Sequence, residues 1–206
     1  MADNTLILGI TGNIASGKSL IAAAFVSKGA ALVDADQLAR EVVAPGSAVL
    51  QQLAERFGAA VLRADGGLNR ERLAEIIFAD PNAREALNRI THPAIAELAI
   101  ERLQRLKENP GVPLVVYEAP LLFEAGAESR VDRVLVVKVD PQVQLQRLRA
   151  RDGLDEVSAR QRIAAQMPQQ QKLARADYVI DNSGSIEAAR RQVDELWSLL
   201  VLDAEK

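Results

Sequence analysis

The chain has 206 residues, of which 49% are apolar, with a formal net charge of −3 and no cysteine. This length suits one domain of ordinary size with a small appended lobe, and the slight negative charge argues against a large nucleic-acid surface. Disulfides and thiolate metal sites are excluded. Because no basic leader and no run of about 18 apolar residues is present, we expect a cytoplasmic protein without a membrane partner.

Five short apolar runs predict β-strands. Each run is apolar throughout rather than alternating, which is typical of a parallel sheet that is covered on both faces. The runs are Leu6–Thr11, Ala31–Asp34, Pro113–Tyr117, Arg133–Val139 and Tyr178–Ile180. Because helical patterns lie between them, the sequence predicts an α/β fold around a five-stranded parallel sheet.

Helix signals separate these runs. Aspartate followed by proline is an N-cap with proline at the first helical position, and it occurs at Asp80-Pro81 and Asp140-Pro141. Helices are predicted over Ser19–Lys28, Gln142–Arg151 and Ile186–Leu202. Residues 42–109 hold several helical segments where a crossover between strands needs only one, so this stretch predicts a helical lobe.

The stretch GNIASGKS, Gly12–Ser19, matches the phosphate-loop pattern G-x-x-x-x-G-K-[ST] in full. Such a loop offers converging backbone N–H groups and the positive end of a helix dipole to a polyphosphate. Lys18 is expected to bridge the β- and γ-phosphates, and the Ser19 hydroxyl to ligate Mg²⁺. The alternative is a glycine-rich turn that happens to contain lysine. Because the motif follows a strand and enters a helix, it favours ATP with magnesium.

The signatures of other nucleotide-binding classes are missing from the sequence. No Asn-Lys-x-Asp guanine reader is present, and the third strand ends in Tyr117-Glu118-Ala119-Pro120 rather than in the Asp-Glu of a motor ATPase. A small-molecule kinase is therefore favoured. Two rivals are a kinase for another acceptor, such as a nucleoside monophosphate, and a nucleotide-dependent regulatory switch that binds a protein partner.

A kinase of this class needs a carboxylate near the γ-phosphate to accept the proton of the acceptor hydroxyl. Asp34 and Asp36 follow the second strand at the carboxyl edge of the sheet, where ligands bind in open α/β folds. Alternation along the strand would put both on the same side. For Asp34 a capping role is as well supported as a catalytic one, whereas chemistry is favoured for Asp36.

Arginines cluster after the fourth strand. Arg147 and Arg151 are four residues apart and share a helix face, and Arg160 and Arg162 follow a break at Gly153. This pattern is typical of a lid that closes over phosphates. The alternative is a solvated helix whose arginines are balanced by acidic residues of the same segment.

Taken in order, these motifs resemble the dephospho-coenzyme A kinase family over nearly the whole chain. The segments that carry the resemblance include GITGNIASGKS, VDADQLAR, EVVAPGS, FGAAVLRADGGLNRERLAEIIFAD, the Thr91-His92-Pro93 turn, EAPLLFEAG, RIAAQMP and ADYVIDNSGS. The resemblance implies transfer of the ATP γ-phosphoryl group to the ribose 3′-hydroxyl of dephospho-coenzyme A, the last step of coenzyme A synthesis. It also implies a three-layer phosphate-loop kinase core with a helical substrate-binding lobe and a lid.

The resemblance further implies roles for individual residues. Asp36 is the expected base, and the other expected catalytic residues are Lys18, Arg147 and Thr11. Acceptor contacts are expected from Asp36, Arg40, Arg70 and His92, with His92 shaping the turn before Pro93. ATP contacts are expected from Gly12, Asn13, Ile14, Ala15, Ser16, Gly17, Lys18, Ser19, Leu20, Arg151 and Asn182, with Asn182 facing the adenine. The implied division is a core of residues 1–41, 112–140 and 177–206, a lobe of residues 42–111 and a lid of residues 141–176.

Three loop residues depart from the family's usual pattern. Asn13 and Ala15 stand where glycine is common, and Leu20 replaces a usual threonine. Asn13 is compatible with a left-handed turn, whereas alanine predicts that position 15 does not need one. Leu20 retains its backbone N–H for phosphate. Glu118 and Glu124 could each hold a magnesium-bound water or cap a helix.

Overall fold

The computed structural model describes residues 5–202, which form two compact units. The sheet unit contains residues 5–34 and 102–202, and the helical unit contains residues 35–101. No helix within residues 5–202 is both long enough and apolar enough to cross a membrane.

The sheet unit is built on five parallel strands. In chain order they are β1 (Leu6–Thr11), β2 (Ala31–Asp34), β3 (Leu114–Glu118), β4 (Arg133–Lys138) and β5 (Tyr178–Asp181). The strand order is β2-β3-β1-β4-β5, so β1 is central and every pair is parallel. Both the strand number and the parallel arrangement confirm the prediction from the apolar runs.

Nine α-helices lie within residues 5–202. They are α1 (Lys18–Ser27), α2 (Ala35–Glu41), α3 (Ala48–Phe57), α4 (Arg70–Ala79), α5 (Pro81–Lys107), α6 (Pro141–Asp152), α7 (Glu156–Ala164), α8 (Gln169–Leu173) and α9 (Ile186–Leu202). Short 3₁₀ turns occur at Ala59–Val61 and Ala127–Arg130. The N-cap at Asp140 is confirmed, because its Oδ1 accepts from the N–H of Gln142 at 2.8 Å and of Val143 at 3.2 Å.

The main apolar core lies where α1 and α9 pack on the sheet. Leu8 and Ile10 of β1 and Phe25 of α1 are fully buried there, and the Phe25 and Trp197 rings lie 6.4 Å apart. Removing such side chains from water is the main free-energy gain of folding, at roughly 25 cal/mol per Å² of apolar surface. This packing makes a rigid support for the carboxyl ends of the strands.

The helical unit has a separate core. Its buried members are Val43, Leu50, Leu53, Val61, Leu68 and Leu73. Ser47 caps α3 by accepting from the N–H of Leu50 at 3.2 Å, and Asn69 caps α4 by accepting from the N–H of Arg72 at 3.1 Å. An independent core with capped helices explains why this stretch forms a compact unit of its own.

The expected turn at Thr91-His92-Pro93 is wrong. Helix α5 runs without interruption for 27 residues and contains Pro93 in its interior. Proline cannot donate to the carbonyl of Arg89, a loss that would ordinarily break a helix. Here the turn before it is braced, since Thr91 Oγ1 donates to the carbonyl of Leu87 at 2.9 Å and Leu87 packs on the apolar core of the helical unit.

Candidate active site

The phosphate loop joins the end of β1 to the start of α1, as the motif requires. Gly12 has φ +154° and Gly17 has φ +87°. A Cβ atom at Gly12 would lie 2.6 Å from the carbonyl oxygen of Val137, and one at Gly17 would clash with Asn182 Nδ2. Both positions therefore require glycine for space as well as for backbone conformation.

The left-handed residue inside the loop is Ala15 rather than Asn13. Ala15 has φ +59° and is the one non-glycine residue with positive φ among residues 5–202. The expectation that alanine marks a position free of this requirement is wrong. The loop turns sharply here, because the N–H of Ser16 donates to the carbonyl of Asn13 at 3.1 Å. The left-handed conformation costs a non-glycine residue about 1–2 kcal/mol, which surrounding contacts must offset.

Lys18 and Ser19 occupy the first turn of α1. The Lys18 Nζ donates to the carbonyl oxygens of Gly12 at 2.9 Å and Asn13 at 3.2 Å, so the ammonium group lies across the loop. Ser19 Oγ donates to Oε1 of Glu118, the last residue of β3, at 2.7 Å. This contact brings a hydroxyl and a carboxylate together beside the phosphate loop.

Asn182 joins the loop after β5 to the phosphate loop. Its side-chain Nδ2 donates to the backbone carbonyl of Ser16 at 2.8 Å, and its backbone carbonyl accepts from Arg147 Nη1 at 2.8 Å. Arg147 of α6 is thereby linked to the phosphate loop through one residue. At Asp181, burial alone would raise the pKa, but hydrogen bonds from Ser183 and Lys138 outweigh burial and hold the pKa below its ordinary value.

The remaining arginines of this segment are paired with acidic neighbours. Arg151 and Arg162 both bind Asp152, at 2.7 Å and 3.0 Å, and Arg160 binds Glu156 at 2.7 Å. The hydrogen bond from Arg151 holds the pKa of Asp152 below its usual range. For these three arginines the structure has the charge-balanced helix that the sequence offered as the alternative. An ATP contact by Arg151 stays a prediction.

A buried lysine that the sequence did not single out lies near Thr11. Lys172 of α8 has 0% of its side chain exposed, and its Nζ binds Glu124 Oε1 at 2.8 Å and the carbonyl of Pro120 at 3.1 Å. Thr11 Oγ1 donates to the same carbonyl at 3.2 Å. Glu124 therefore anchors a buried cation, and the hydroxyl of Thr11 helps to hold the turn after β3.

The predicted acceptor residues Asp36, Arg40, Arg70 and His92 all lie in the helical unit. Arg40 and Arg70 line one cavity of about 660 Å³, together with Arg63. Asp36 lies in the first turn of α2, which begins directly after β2, so strand alternation does not apply to it, and its placement on the same side as Asp34 stays a prediction. His92 is exposed in the middle of α5. The structure therefore brings Arg40 and Arg70 together.

The residues of the loop fit a polyphosphate and a hard cation. Four buried side-chain polar atoms within residues 5–202 lack a hydrogen-bond partner, and three of them are Asn13 Oδ1, Ser16 Oγ and Asn182 Oδ1. Unsatisfied buried polar atoms are costly unless a ligand or water completes them. The Ser16 hydroxyl can donate to a phosphate oxygen, whereas the two amide oxygens can only accept. Within the same described residues, no cluster of three or more His, Cys, Asp or Glu could hold a metal. The oxygen pair of Ser19 and Glu118 suits Mg²⁺, which takes most of its ligands from water and phosphates.

Strand order and the glycine-bounded loop between β1 and α1 place this chain among the phosphate-loop kinases. Within that class, the chain belongs to the dephospho-CoA kinase family. The family profile, described as CoaE, dephospho-CoA kinase, matches residues 6–188.

Individual relatives agree with this placement. The chain is 59% identical over 196 residues to the dephospho-CoA kinase of Syntrophotalea carbinolica, covering 95% of this chain and 92% of that one. It is 50% identical over 192 residues to the dephospho-CoA kinase of Geobacter sulfurreducens, covering 93% and 97%. The solved structure of dephospho-CoA kinase from Campylobacter jejuni superposes with a TM-score of 0.75 at 28% identity, covering 96% of this chain and 98% of that one.

Proposed function

We propose that the phosphate loop and the residues around it are the site at which this chain carries out the reaction of its family. Members of this ATP-dependent family have dephospho-CoA kinase activity, the final step of coenzyme A biosynthesis, and the chain shares it. The observation that carries the assignment of the site is the glycine-bounded loop, with the unpartnered Ser16 Oγ, whose hydroxyl can donate to a phosphate oxygen.

In this proposal the loop binds the triphosphate of ATP. The N-terminus of α1 supplies oriented N–H groups and a partial positive charge, and Lys18 supplies a full one. The ammonium group of Lys18 already lies within 2.9 Å of the carbonyl of Gly12, so it exchanges a loop carbonyl for a phosphate oxygen when ATP binds. Asn182 Oδ1 is buried and unpartnered, which suits an acceptor for the exocyclic amine of adenine.

Magnesium would be held through Ser19, with Glu118 orienting the hydroxyl or a magnesium-bound water. The Ser19–Glu118 distance of 2.7 Å supports this pairing. When bound, magnesium supplies positive charge that neutralises the β- and γ-phosphate oxygens.

The acceptor for the phosphoryl group is the ribose 3′-hydroxyl of dephospho-CoA. By its match to the family pattern, Asp36 takes the proton of this hydroxyl, whose oxygen attacks the γ-phosphorus. The bond from the γ-phosphorus to the β–γ bridging oxygen breaks, and ADP leaves. Arg147 balances the charge on the transferred group. Arg40 and Arg70, which share a cavity wall, are suited to the negatively charged pyrophosphate of the acceptor.

The same proposal assigns a separate role to each of two segments of the chain. We assign acceptor binding to the lobe of residues 42–111 and phosphate closure to residues 141–176, within a single kinase domain. A cytoplasmic location is part of this proposal because coenzyme A synthesis draws on cytoplasmic ATP; fractionation of cells that express a tagged chain tests it.

Two variants test the assignment of the site. Asp36→Asn is expected to keep the affinity for Mg–ATP within about twofold and to lose at least about 100-fold in kcat, because general-base catalysis contributes factors of that size. Lys18→Ala is expected to weaken Mg–ATP binding strongly. Isothermal titration measures binding, and coupled ADP release with dephospho-CoA measures turnover.

The two variants test different parts of the proposal. Near-normal turnover by Asp36→Asn would remove Asp36 as the base and leave the nucleotide site intact. Unchanged Mg–ATP affinity in Lys18→Ala would remove the phosphate loop as the nucleotide site. Asp34→Asn is the matched control, since Asp34 ends β2 two residues earlier and is expected to retain most of the turnover.

A further inference from the structure

Both backbone polar groups of one residue in the phosphate loop, Ile14, are held by glutamine side chains. The N–H of Ile14 donates to Gln166 Oε1 at 2.6 Å, and the carbonyl of Ile14 accepts from Gln144 Nε2 at 2.9 Å. Asn13, directly before it, donates from Nδ2 to the carbonyl of Met167 at 3.0 Å. We call Gln144 and Gln166 the glutamine clamp.

The clamp reaches the loop from a distant part of the chain. Gln144 lies in α6 and Gln166 follows α7, 130 and 152 residues beyond Ile14. Gln144 has 6% of its surface exposed, which is unusual for a glutamine unless its amide is hydrogen bonded. The side-chain amides of Gln144 and Gln166 therefore hydrogen-bond to the loop backbone instead of to water.

The clamped residue, Ile14, stands directly before the left-handed residue of the loop. Ala15 has φ +59°, a conformation that a non-glycine residue keeps only when its surroundings hold it. In a phosphate loop, the directions of the backbone N–H groups depend on such turns being maintained. Fixing the N–H and the carbonyl of Ile14 fixes the orientation of the two peptide groups that flank this residue, the second of which enters the turn.

We propose that Gln144 and Gln166 are positioning residues that hold the phosphate loop in its triphosphate-binding shape. The inference rests on the proposed function, in which this loop binds ATP. Because both glutamines belong to the α6–α8 segment, the shape of the loop depends on that segment staying docked against it.

A third glutamine offers a matched control. Gln169 makes the same two kinds of bond to the backbone of Val139, accepting from its N–H at 3.0 Å and donating to its carbonyl at 3.0 Å. Val139 lies after β4 and outside the phosphate loop. The double variant Gln144→Met and Gln166→Met thus loses two bonds to the backbone of one loop residue, and Gln169→Met loses two bonds to the backbone of one residue elsewhere in the same unit.

The experiment measures the Kd of Mg–ATP and the unfolding temperature without nucleotide. Each single clamp variant is expected to weaken Mg–ATP binding about three- to tenfold, the range for one lost hydrogen bond. The double variant should weaken it by less than the product of the single effects, because both bonds hold the same residue, Ile14. The KM for ATP should rise by a similar factor, with the KM for dephospho-CoA unchanged. Gln169→Met should lower the unfolding temperature about as much as the double variant and keep the Kd within twofold.

Two results would overturn the inference. If Gln166→Met and Gln144→Met bind Mg–ATP no more weakly than Gln169→Met, while Lys18→Ala has lost binding, the clamp has no positioning role and the nucleotide site stands. If Lys18→Ala also binds normally, both the clamp and the proposed nucleotide site fail. Gln166 is only half-buried, so its variant is expected to fold even if the buried Gln144 does not tolerate replacement.

Discussion

Ser19 Oγ donates to Glu118 Oε1 over 2.7 Å, which joins the first turn of α1 to the carboxyl end of β3. Glu118 is buried, and its neighbour in the parallel register on β2 is Asp34. The serine of the phosphate-loop motif is therefore oriented by a carboxylate from a strand that is far away in sequence. A buried carboxylate beside a serine hydroxyl suits the orientation of a magnesium ligand.

Replacing Glu118 with glutamine tests this pairing. Glutamine keeps an acceptor for Ser19 but removes the negative charge, so the Mg²⁺ concentration for half-maximal activity is expected to rise about tenfold or more. Titration of Mg²⁺ at fixed ATP and dephospho-CoA measures it. Glu128→Gln is the control, since Glu128 pairs with Arg175 away from the loop. An unchanged Mg²⁺ requirement in Glu118→Gln would separate Glu118 from the metal.

If dephospho-CoA binds in the cavity that Arg40 and Arg70 line, replacing either arginine should weaken its binding. Arg40→Ala and Arg70→Ala are each expected to raise the KM for dephospho-CoA about tenfold, the effect of losing one hydrogen bond from a charged group, with the KM for ATP unchanged. Initial rates at varied substrate concentrations measure both. Arg72→Ala is the control because Arg72 pairs with Glu75 on the surface of the same helix as Arg70. Equal effects of all three substitutions would contradict acceptor binding in the cavity.

Replacing Ala15 with glycine should not lower the free energy of unfolding in the way that an alanine-to-glycine substitution in a helix does. Alanine to glycine inside a helix costs about 1 kcal/mol, and Ala23→Gly in α1 is expected to show that loss. Ala15→Gly should leave the free energy of unfolding unchanged or raise it by up to about 1 kcal/mol, because glycine adopts the φ of +59° without strain. Urea denaturation measures both variants. A loss at Ala15 as large as at Ala23 would show that the loop does not hold this residue in a strained conformation.

The Lys172–Glu124 ion pair should matter more for stability than a surface pair. Lys172 is fully buried, so Lys172→Met leaves Glu124 without its cation and is expected to lower the free energy of unfolding by about 3 kcal/mol. Lys107→Met removes a more exposed pair with Asp132 and should cost less than about 1 kcal/mol. Chemical denaturation compares the two. Similar losses would show that burial does not distinguish these pairs.

The strands and caps were predictable from the sequence because their signals are local. An apolar run or an Asp-Pro pair favours one conformation through its own residues, without distant contacts. The observed elements Leu6–Thr11, Ala31–Asp34 and Ile186–Leu202 accordingly have the predicted bounds. The phosphate loop was predictable for the same reason. The turn expected at Pro93 was wrong because the packing of neighbouring side chains outweighs the local preference of proline.

Other features depend on contacts that sequence patterns do not encode. Ala15 adopts a left-handed conformation that alanine disfavours, and the clamp bonds from Gln144 and Gln166 span more than half the chain. One signal was available: Gln144 lies four residues before Leu148, on a helix face that is buried. A polar residue on an apolar face marks a specific hydrogen bond, although it does not identify the partner.

The most direct test is the acceptor dependence of ADP formation by the wild-type chain. With Mg–ATP and dephospho-CoA, ADP release is expected to rise well above the rate without acceptor, and phosphorus NMR should show one new phosphomonoester at the ribose 3′ position. The 3′-deoxy analogue of dephospho-CoA should give no such product. ADP release that is independent of dephospho-CoA, or equal with the 3′-deoxy analogue, would contradict phosphoryl transfer to that hydroxyl.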